Sequence, residues 1–511
     1  MMPADDQLTT ARQRIAAAYD PALLHDAGRR LADLLAANLE RAEHSAGAVL
    51  PWAEPSTAVD EARAFLRDED EAGSEPETSA AGDQFAALVR VMLERGLNLH
   101  DPRYIGHQVP APVPLAGLFD AVGSVTNQVM AVYEMGPWAS AVELAMVREL
   151  GEAIGWAPDT FSGTVTHGGS LANLTALLTA RNVALGESWD QGLAGGASQP
   201  APVLLTHAEA HYSVARAAGI LGLGSRQTVR VGLDTRGRMD PRRLDEELAR
   251  LRAEGRPVVA VVACACATPI GAFDPLEEIA AVCRKHGVWL HADAAHGGSA
   301  LLSERHRHLL AGIEHADSVV WDAHKMLFVP GLCAFVLYRD RSRVFDTFRQ
   351  DAPYLFDPAA PGLADYDSGV RSVECTKRAA AFGLWGVWSL FGRQLFGDMV
   401  DVTFALGRTL HAKLTAADDF VPLHEPQCNI VVFRHVPAAL GNAPRERVGD
   451  FQLELRRRII ESGEFYIVPA KHDGTGALRV AIMNPLTTPE HLDRLLDALR
   501  RHGRELLGAS A

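Results

Sequence analysis

The chain is 511 residues long, with 48% apolar and 22% charged residues, which suits a water-soluble globular protein of two or three compact units. Its formal net charge of -15, with no clustered basic face, excludes nucleic acid and anionic membranes as partners, because both need a basic surface that displaces counterions. No uncharged apolar run reaches the roughly 18 residues of a membrane span; the opening MMPADDQLTTARQR lacks the charged-then-apolar layout of a secretory leader, so a cytoplasmic protein is expected.

Residues 8–48 are rich in Ala, Leu and Arg, and the spacing of Leu31, Leu34, Leu35 and Leu39 predicts one or two amphipathic helices whose apolar face needs a partner. RDEDEAGSEPETSAAGD, from Arg67 to Asp83, is acidic and turn-rich and reads as an exposed linker. From Asp101 onward the runs VLLTHAEAH, VVAVVACACAT, VWLHADAAH, SVVWDAH and CAFVLYR alternate with helical stretches. Continuous Val, Ala and Leu of this length predict strands covered on both faces by helices, hence an α/β fold with a mostly parallel sheet. DQGLAGGASQPAP, from Asp190 to Pro202, reads as a surface loop. After about Gly397 the order becomes helix, short strand (NIVVFRH), long helix, strand (LRVAIMN) and final helix, a smaller α+β unit. The expected division is therefore 1–99, 100–397 and 398–511. Six cysteines with no C-x-x-C pair fit incidental thiols and give no metal site.

Ligands of open α/β sheets collect outside the carboxyl ends of the strands, so chemistry is sought there. THGGSLANL sets Gly169 and Ser170 just before a helix, the layout in which backbone N–H groups cradle a phosphate, although a plain turn with a helix cap reads the same way. His211 opens another helix, where its imidazole either stacks on a flat ring or caps the helix. Asp293 ends the apolar strand VWLHADAA, and a buried carboxylate there needs a cationic partner. Two are conceivable: a metal held by His291, Asp293 and His296, or the protonated ring nitrogen of a cofactor. Lys325 lies 32 residues after Asp293, past an expected helix (ERHRHLLAGIEHA) and one more strand, which brings both groups to one sheet edge. Apolar neighbours predict a desolvated amine with a lowered pKa, nucleophilic near neutral pH, against the plainer reading of a surface lysine. One ligand satisfies all four elements: pyridoxal 5'-phosphate, with Lys325 in a Schiff base, Asp293 on the pyridinium nitrogen, His211 stacked on the ring and Ser170 with neighbouring N–H groups on the phosphate.

With these residues in place the chain resembles the group II pyridoxal-phosphate-dependent amino-acid decarboxylases, the family of glutamate, cysteine-sulfinate and aromatic-amino-acid decarboxylases. The matching pieces include DPRYIGHQ, YEMGPWASAVE, THGGSLANLTALLTAR, HYSVARAAGILGLG, GAFDPLEEIAAVCRKHGVWLHADAAHGGSALLS, HRHLLAGIEHADSVVWDAHKML, APYLF, VECTKR and LRVAIMNP, in family order from about Asp101 to Asn484. The resemblance implies a fold-type I enzyme with a seven-stranded type of sheet, a small C-terminal domain, an N-terminal helical segment packed on a partner subunit, and so a homodimer with shared active sites. It implies Gly169, Ser170, Leu171, Thr268, Ala295, Asp322 and His324 around the cofactor, besides His211, Asp293 and Lys325. It also implies Gln108 and Arg479 near the substrate carboxylates, His324 beside the lysine, and Tyr354 on a mobile loop that protonates the substrate carbon. Two departures stand out. Asp322-Ala323 replaces the family's Asn-Pro before His-Lys, leaving the contact of residue 322 with the phosphate open, and His296 stands where the animal enzymes carry an aromatic.

The implied reaction is decarboxylation of an L-amino acid to its amine and carbon dioxide. Acidic substrates (glutamate, aspartate, cysteine sulfinate) match the motifs best, ahead of diaminobutyrate, aromatic and aliphatic amino acids. Three rivals differ in what they predict. An aminotransferase or lyase on the same fold releases no carbon dioxide. A metal-dependent hydrolase built on HADAAH binds zinc and is colourless, and a non-catalytic scaffold has lost Lys325 or Asp293.

Overall fold

The computed structural model describes residues 4–66, 78–193, 200–348 and 366–508. The N-terminal periodicity resolves into two helices, Ala4–Ala18 and Pro21–Glu43. Asp20 starts the second by accepting the Ala22 N–H at 2.8 Å, with proline at the first helical position, where a missing N–H costs nothing. This helix packs along Thr78–Arg95, and Arg30 ties the two together through Asp26 and Asp83.

Thirteen strands among the described residues, β1 to β13 in chain order, form three sheets. The largest has seven strands in the order β2 (Ser162–Thr166), β8 (Ala334–Tyr338), β7 (Ser318–Asp322), β6 (Leu290–Asp293), β5 (Val258–Cys264), β3 (Val203–His207) and β4 (Thr228–Val231). All five apolar runs read from the sequence as strands are strands here, and the central ones are buried on both faces. The sheet is parallel except at β8, which runs antiparallel to both β7 and β2. The two edge strands carry no apolar run. β4 is half-exposed, and β2 reads Ser-Gly-Thr-Val-Thr, its polar side chains satisfied from behind rather than by apolar packing.

One expected element is absent. ERHRHLLAGIEHA forms no α-helix; the crossover from β6 to β7 runs through the short 3-10 turns Gly297–Leu302, Arg307–Leu310 and Ile313–His315. Glycine is the reason at two points: Gly298 lies flat against the Trp321 indole, and Gly312, at φ +92°, turns into the Glu277 backbone where a side chain would collide.

Beyond these lie β10 (Phe420–Pro422), β11 (Ile430–His435), β12 (Val468–His472) and β13 (Thr475–Ala481), an antiparallel sheet in the order β10, β11, β13, β12. Helices Arg445–Ser462 and Pro489–Gly508 cover it, burying Leu455, Ile459, Leu495 and Leu499 against Val431, Phe433 and Leu478. Helix Gln394–Thr415 crosses the expected boundary at 397/398, packing first on the Gly297–Leu302 turn and then on β10 and β11. A small ladder of β1 (Val129–Met130) with β9 (Lys377–Arg378) flanks the large sheet.

Behind β2, Lys377 is fully buried and its Nζ donates to Glu143 Oε1 at 2.7 Å, Thr164 Oγ1 at 2.8 Å and the Val165 carbonyl at 2.7 Å. All three ammonium hydrogens are used, the condition under which a buried ion pair is tolerated. Glu143→Ala strands the ammonium and is expected to destabilise the protein by about 3–5 kcal/mol. The pair replacement Glu143→Leu/Lys377→Met is expected to recover most of that loss, with denaturant midpoints of the two variants providing the check.

Candidate active site

β5, β6 and β7 all end at one edge of the sheet, and beyond them lies a cavity of about 310 Å³. Gly169, Ser170, His211, Thr268, Asp293, Ala295, Asp322, His324 and Lys325, nine of the residues proposed from the sequence, line it together. Leu171 sits half-buried in the first turn of helix Gly169–Leu185 but does not face the cavity. No side chain caps that helix, and Gly168, Gly169 and Ser170 bring its open N-terminus to the cavity wall.

Asp293 is 7% exposed and forms no ion pair among the described residues. Its Oδ2 accepts from Asn173 Nδ2 at 2.9 Å and its Oδ1 from the Ala295 N–H at 3.2 Å. Asn173 is itself oriented by a chain whose direction follows from its ends. The Trp289 indole N–H can only donate, here to Ser318 Oγ at 2.9 Å, and the carboxylate of Asp293 can only accept. Between them Ser318 donates to His291 Nδ1 at 2.8 Å, and His291 donates from Nε2 to Asn173 Oδ1 at 2.9 Å. Burial pushes the His291 imidazole down to about 4, so it serves as a neutral relay. The second Asn173 hydrogen goes to Ser213 Oγ at 3.0 Å, and Ser213 donates to His211 Nδ1 at 2.8 Å. His211 thus holds its proton on Nε2, and burial lowers its pKa.

This geometry removes the metal reading of HADAAH. His291 and Asp293 are both committed to Asn173. His296 lies elsewhere, donating from Nε2 to Asn429 Oδ1 at 2.9 Å, with its pKa pushed by burial to about 3. Asn173 and Ser213 were not singled out from the sequence. A polar Asn inside the apolar run LANLTALL, one helical turn after Ser170, was the signal available.

Lys325 Nζ lies 2.9 Å from Asp322 Oδ2, and His324 Nε2 lies 3.6 Å from the same oxygen while its Nδ1 donates to the Cys333 carbonyl at 2.8 Å. The neutral amine expected from the apolar neighbours is corrected here. Burial does pull the ammonium pKa down, but the charges of Asp322 and Asp293 outweigh it and the net direction is up. Asp322 packs under Gly169, where a side chain would strike its carboxylate, and its Oδ1 is buried without a hydrogen-bond partner among the described residues.

Gln108 and Arg479 come together as expected, though beside the cavity rather than on its wall. Arg479 Nη2 donates to Gln108 Oε1 at 3.1 Å and to the Thr268 carbonyl at 2.8 Å, and its Nε donates to the Pro269 carbonyl at 3.2 Å. The guanidinium is 7% exposed, and no carboxylate pairs with it among the described residues. Tyr354 lies outside the described residues.

The Asp322–Lys325 contact has a direct consequence. Replacing Asp322 by Asn removes the nearest anion from the ammonium, so the pKa of Lys325 in cofactor-free protein is expected to fall. Amine-specific labelling at position 325, followed by peptide mass spectrometry across pH, is expected to set in at lower pH in Asp322→Asn than in the parent protein.

A buried carboxylate without a cation, a lysine amine, an imidazole face and an open helix N-terminus around one cavity fit pyridoxal phosphate group by group: ring nitrogen, aldehyde, ring face and phosphate. Residues 86–436 match the model of the pyridoxal-dependent decarboxylase conserved domain. The chain is 32% identical over 440 residues to the acidic amino acid decarboxylase GADL1 of Mus musculus, covering 84% of this chain and 78% of that protein. It is 34% identical over 389 residues to the Homo sapiens protein of the same name, covering 74% and 73%. Among solved structures, mouse CSAD superposes with a TM-score of 0.85 at 30% identity, covering 95% of this chain and 99% of that one. Oryza sativa TDC with PLP and tryptamine shares the fold, with a TM-score of 0.84 at 22% identity over 96% and 99%. The chain belongs to the pyridoxal-dependent decarboxylase family and is a pyridoxal-phosphate-dependent amino-acid decarboxylase.

Proposed function

We propose that the enzyme decarboxylates an acidic L-amino acid, glutamate, aspartate or cysteine sulfinate, in a homodimer with shared sites in the cytoplasm. The observation that carries the substrate class is Arg479, a buried guanidinium beside the cavity that is held by three oxygens, none of them a carboxylate. A cation of this kind is suited to a carboxylate brought by a ligand, and Arg presents a forked donor pair to it. The printed name of the GADL1 relatives, acidic amino acid decarboxylase, points the same way. A partner subunit is supported by Leu8, Ile15, Tyr19 and Leu24, all more than half exposed on the N-terminal helices. Six free cysteines suit a reducing compartment.

In this reading Lys325 is the covalent anchor, the open N-terminus at Gly169 and Ser170 receives the phosphate, and His211 presents its ring face. The bound cofactor supplies a cationic ring that takes up the electron pair left behind when the carboxylate departs as carbon dioxide. Asp293 keeps a proton on the ring nitrogen by stabilising the cation, and the chain from Trp289 through Asn173 keeps that carboxylate ionised and aimed. Asp322 balances the charge of Lys325 while the lysine is free, and His324 is held beside it by the Cys333 carbonyl. Gln108 and Arg479 orient the substrate carboxylate, and Thr268 lines the cavity next to them. Tyr354 returns the proton to the substrate carbon, or His211 relays it.

Carbon dioxide trapped from holoenzyme given each proteinogenic amino acid, diaminobutyrate and cysteine sulfinate is expected to be greatest with one of the three acidic substrates. Release confined to aromatic or aliphatic amino acids would overturn the assignment. Asp293→Ala is expected to lower kcat by roughly a thousandfold or more, the scale of losing a preorganised charge partner. Asn173→Ala is expected to show a smaller loss of the same kind. In Tyr354→Phe, aldehyde should appear at the expense of amine, and unchanged amine yield per carbon dioxide would remove Tyr354 from the proton transfer.

A further inference from the structure

Three side chains at the base of the cavity remain without a role in the decarboxylation. Cys266 follows β5, His296 follows β6, and Cys428 approaches from just before β11, so three separate segments converge. Both sulfurs and a ring nitrogen of His296 lie within 4.8 Å of one another, and all three residues are buried.

The direction of the His296 hydrogen bond decides what its ring can do. Asn429 donates from Nδ2 to the Ile482 carbonyl at 2.9 Å, so its Oδ1 faces His296 and accepts the Nε2 proton. That leaves Nδ1 as the lone-pair nitrogen, and it is buried with no hydrogen-bond partner among the described residues. An unmet buried acceptor of this kind costs about 1–3 kcal/mol. The position of Cys428 is equally built: its thiol points to the Gly271 carbonyl at 3.6 Å, and any side chain at Gly271 would collide with its sulfur.

We propose that Cys266, His296 and Cys428 form a binding site for one thiophilic d10 cation of the zinc class, with an open coordination position toward the cofactor cavity. Two sulfurs and one imidazole nitrogen are the donor set that zinc takes with a free fourth position. Zinc–sulfur bonds of about 2.3 Å in a tetrahedron place two sulfurs roughly 3.8 Å apart, so the present spacing needs only about 1 Å of closure. The open position follows from placement, because Cys266 and His296 line the cavity and Cys428 does not. Binding converts two thiols to thiolates and releases two protons, leaving a cluster with no net charge, a form a buried site accepts. Asn429 then acts on the ring as carboxamides and carboxylates do on metal-bound histidines, fixing the tautomer through the nitrogen that does not bind metal. The site is separate from Asp293 and Lys325 and does not depend on which amino acid the enzyme decarboxylates.

Cadmium titrated into the untagged holoenzyme is expected to give a thiolate-to-cadmium charge-transfer absorption that saturates at one ion per chain. Zinc should displace the ion and magnesium should not. Cys266→Ser and Cys428→Ser are each expected to weaken binding at least tenfold, while Cys375→Ser, which removes the half-exposed thiol, leaves it unchanged. In case a variant misfolds, X-ray absorption of the zinc-loaded parent protein provides a second test: a first shell with two sulfurs supports the site. A first shell of nitrogen and oxygen alone, no absorption at one equivalent, or a band lost only with Cys375→Ser would each overturn it.

Discussion

The constraint around which this molecule is arranged is an ionised carboxylate in a nearly closed cavity with no protein cation against it. Asp293 ends a strand of Leu, His and Ala, and its ionisation is maintained by two hydrogen bonds, from Asn173 and from the Ala295 backbone. Charge-assisted bonds of this kind contribute about 1.5–3 kcal/mol each. They hold an anion that only a cationic ligand can neutralise fully. The chemistry expected of the family needs that unspent negative charge, and the donor chain from Trp289 inward exists to orient it. Asn173 is the hinge of the arrangement: one amide group serves Asp293 and, through Ser213, His211.

A second carboxylate shares the cavity with a different role. Asp322 has its cation already, in Lys325, while Asp293 has none. Two acids within one cavity are separated by their partners, and the ammonium is held charged by both of them against the pull of burial. Farther back, Lys377 and Glu143 repeat the pattern purely as structure, with every donor used and no access to a ligand.

Legibility in the sequence follows burial. The strands β3, β5, β6, β7 and β8 were readable because strands covered on both faces are continuous apolar runs, and their endings named nine residues that line the cavity. Edge strands β2 and β4 escaped because polar residues carry them. The antiparallel sense of β8 escaped because strand patterns hold no direction. The helix expected at ERHRHLLAGIEHA failed because glycines at 297, 298 and 312 meet tight packing that periodicity does not report. At the site, residue types were legible and partners were not. The pKa direction of Lys325 turned on Asp322, three positions away in the chain, where neighbouring apolar residues suggested the reverse.

The reversed strand β8 also determines what kind of anchor the enzyme has. Asp322, the last residue of β7, is paired across the ladder with Ala334, the first residue of β8, so the segment carrying Lys325 is a loop pinned at its base by neighbouring strands in the middle of the sheet. Such a closed loop surrenders little further freedom when its amine is tied down. Tethering therefore draws on order the sheet already has, and the anchor and the sheet's interior are expected to melt as a single unit.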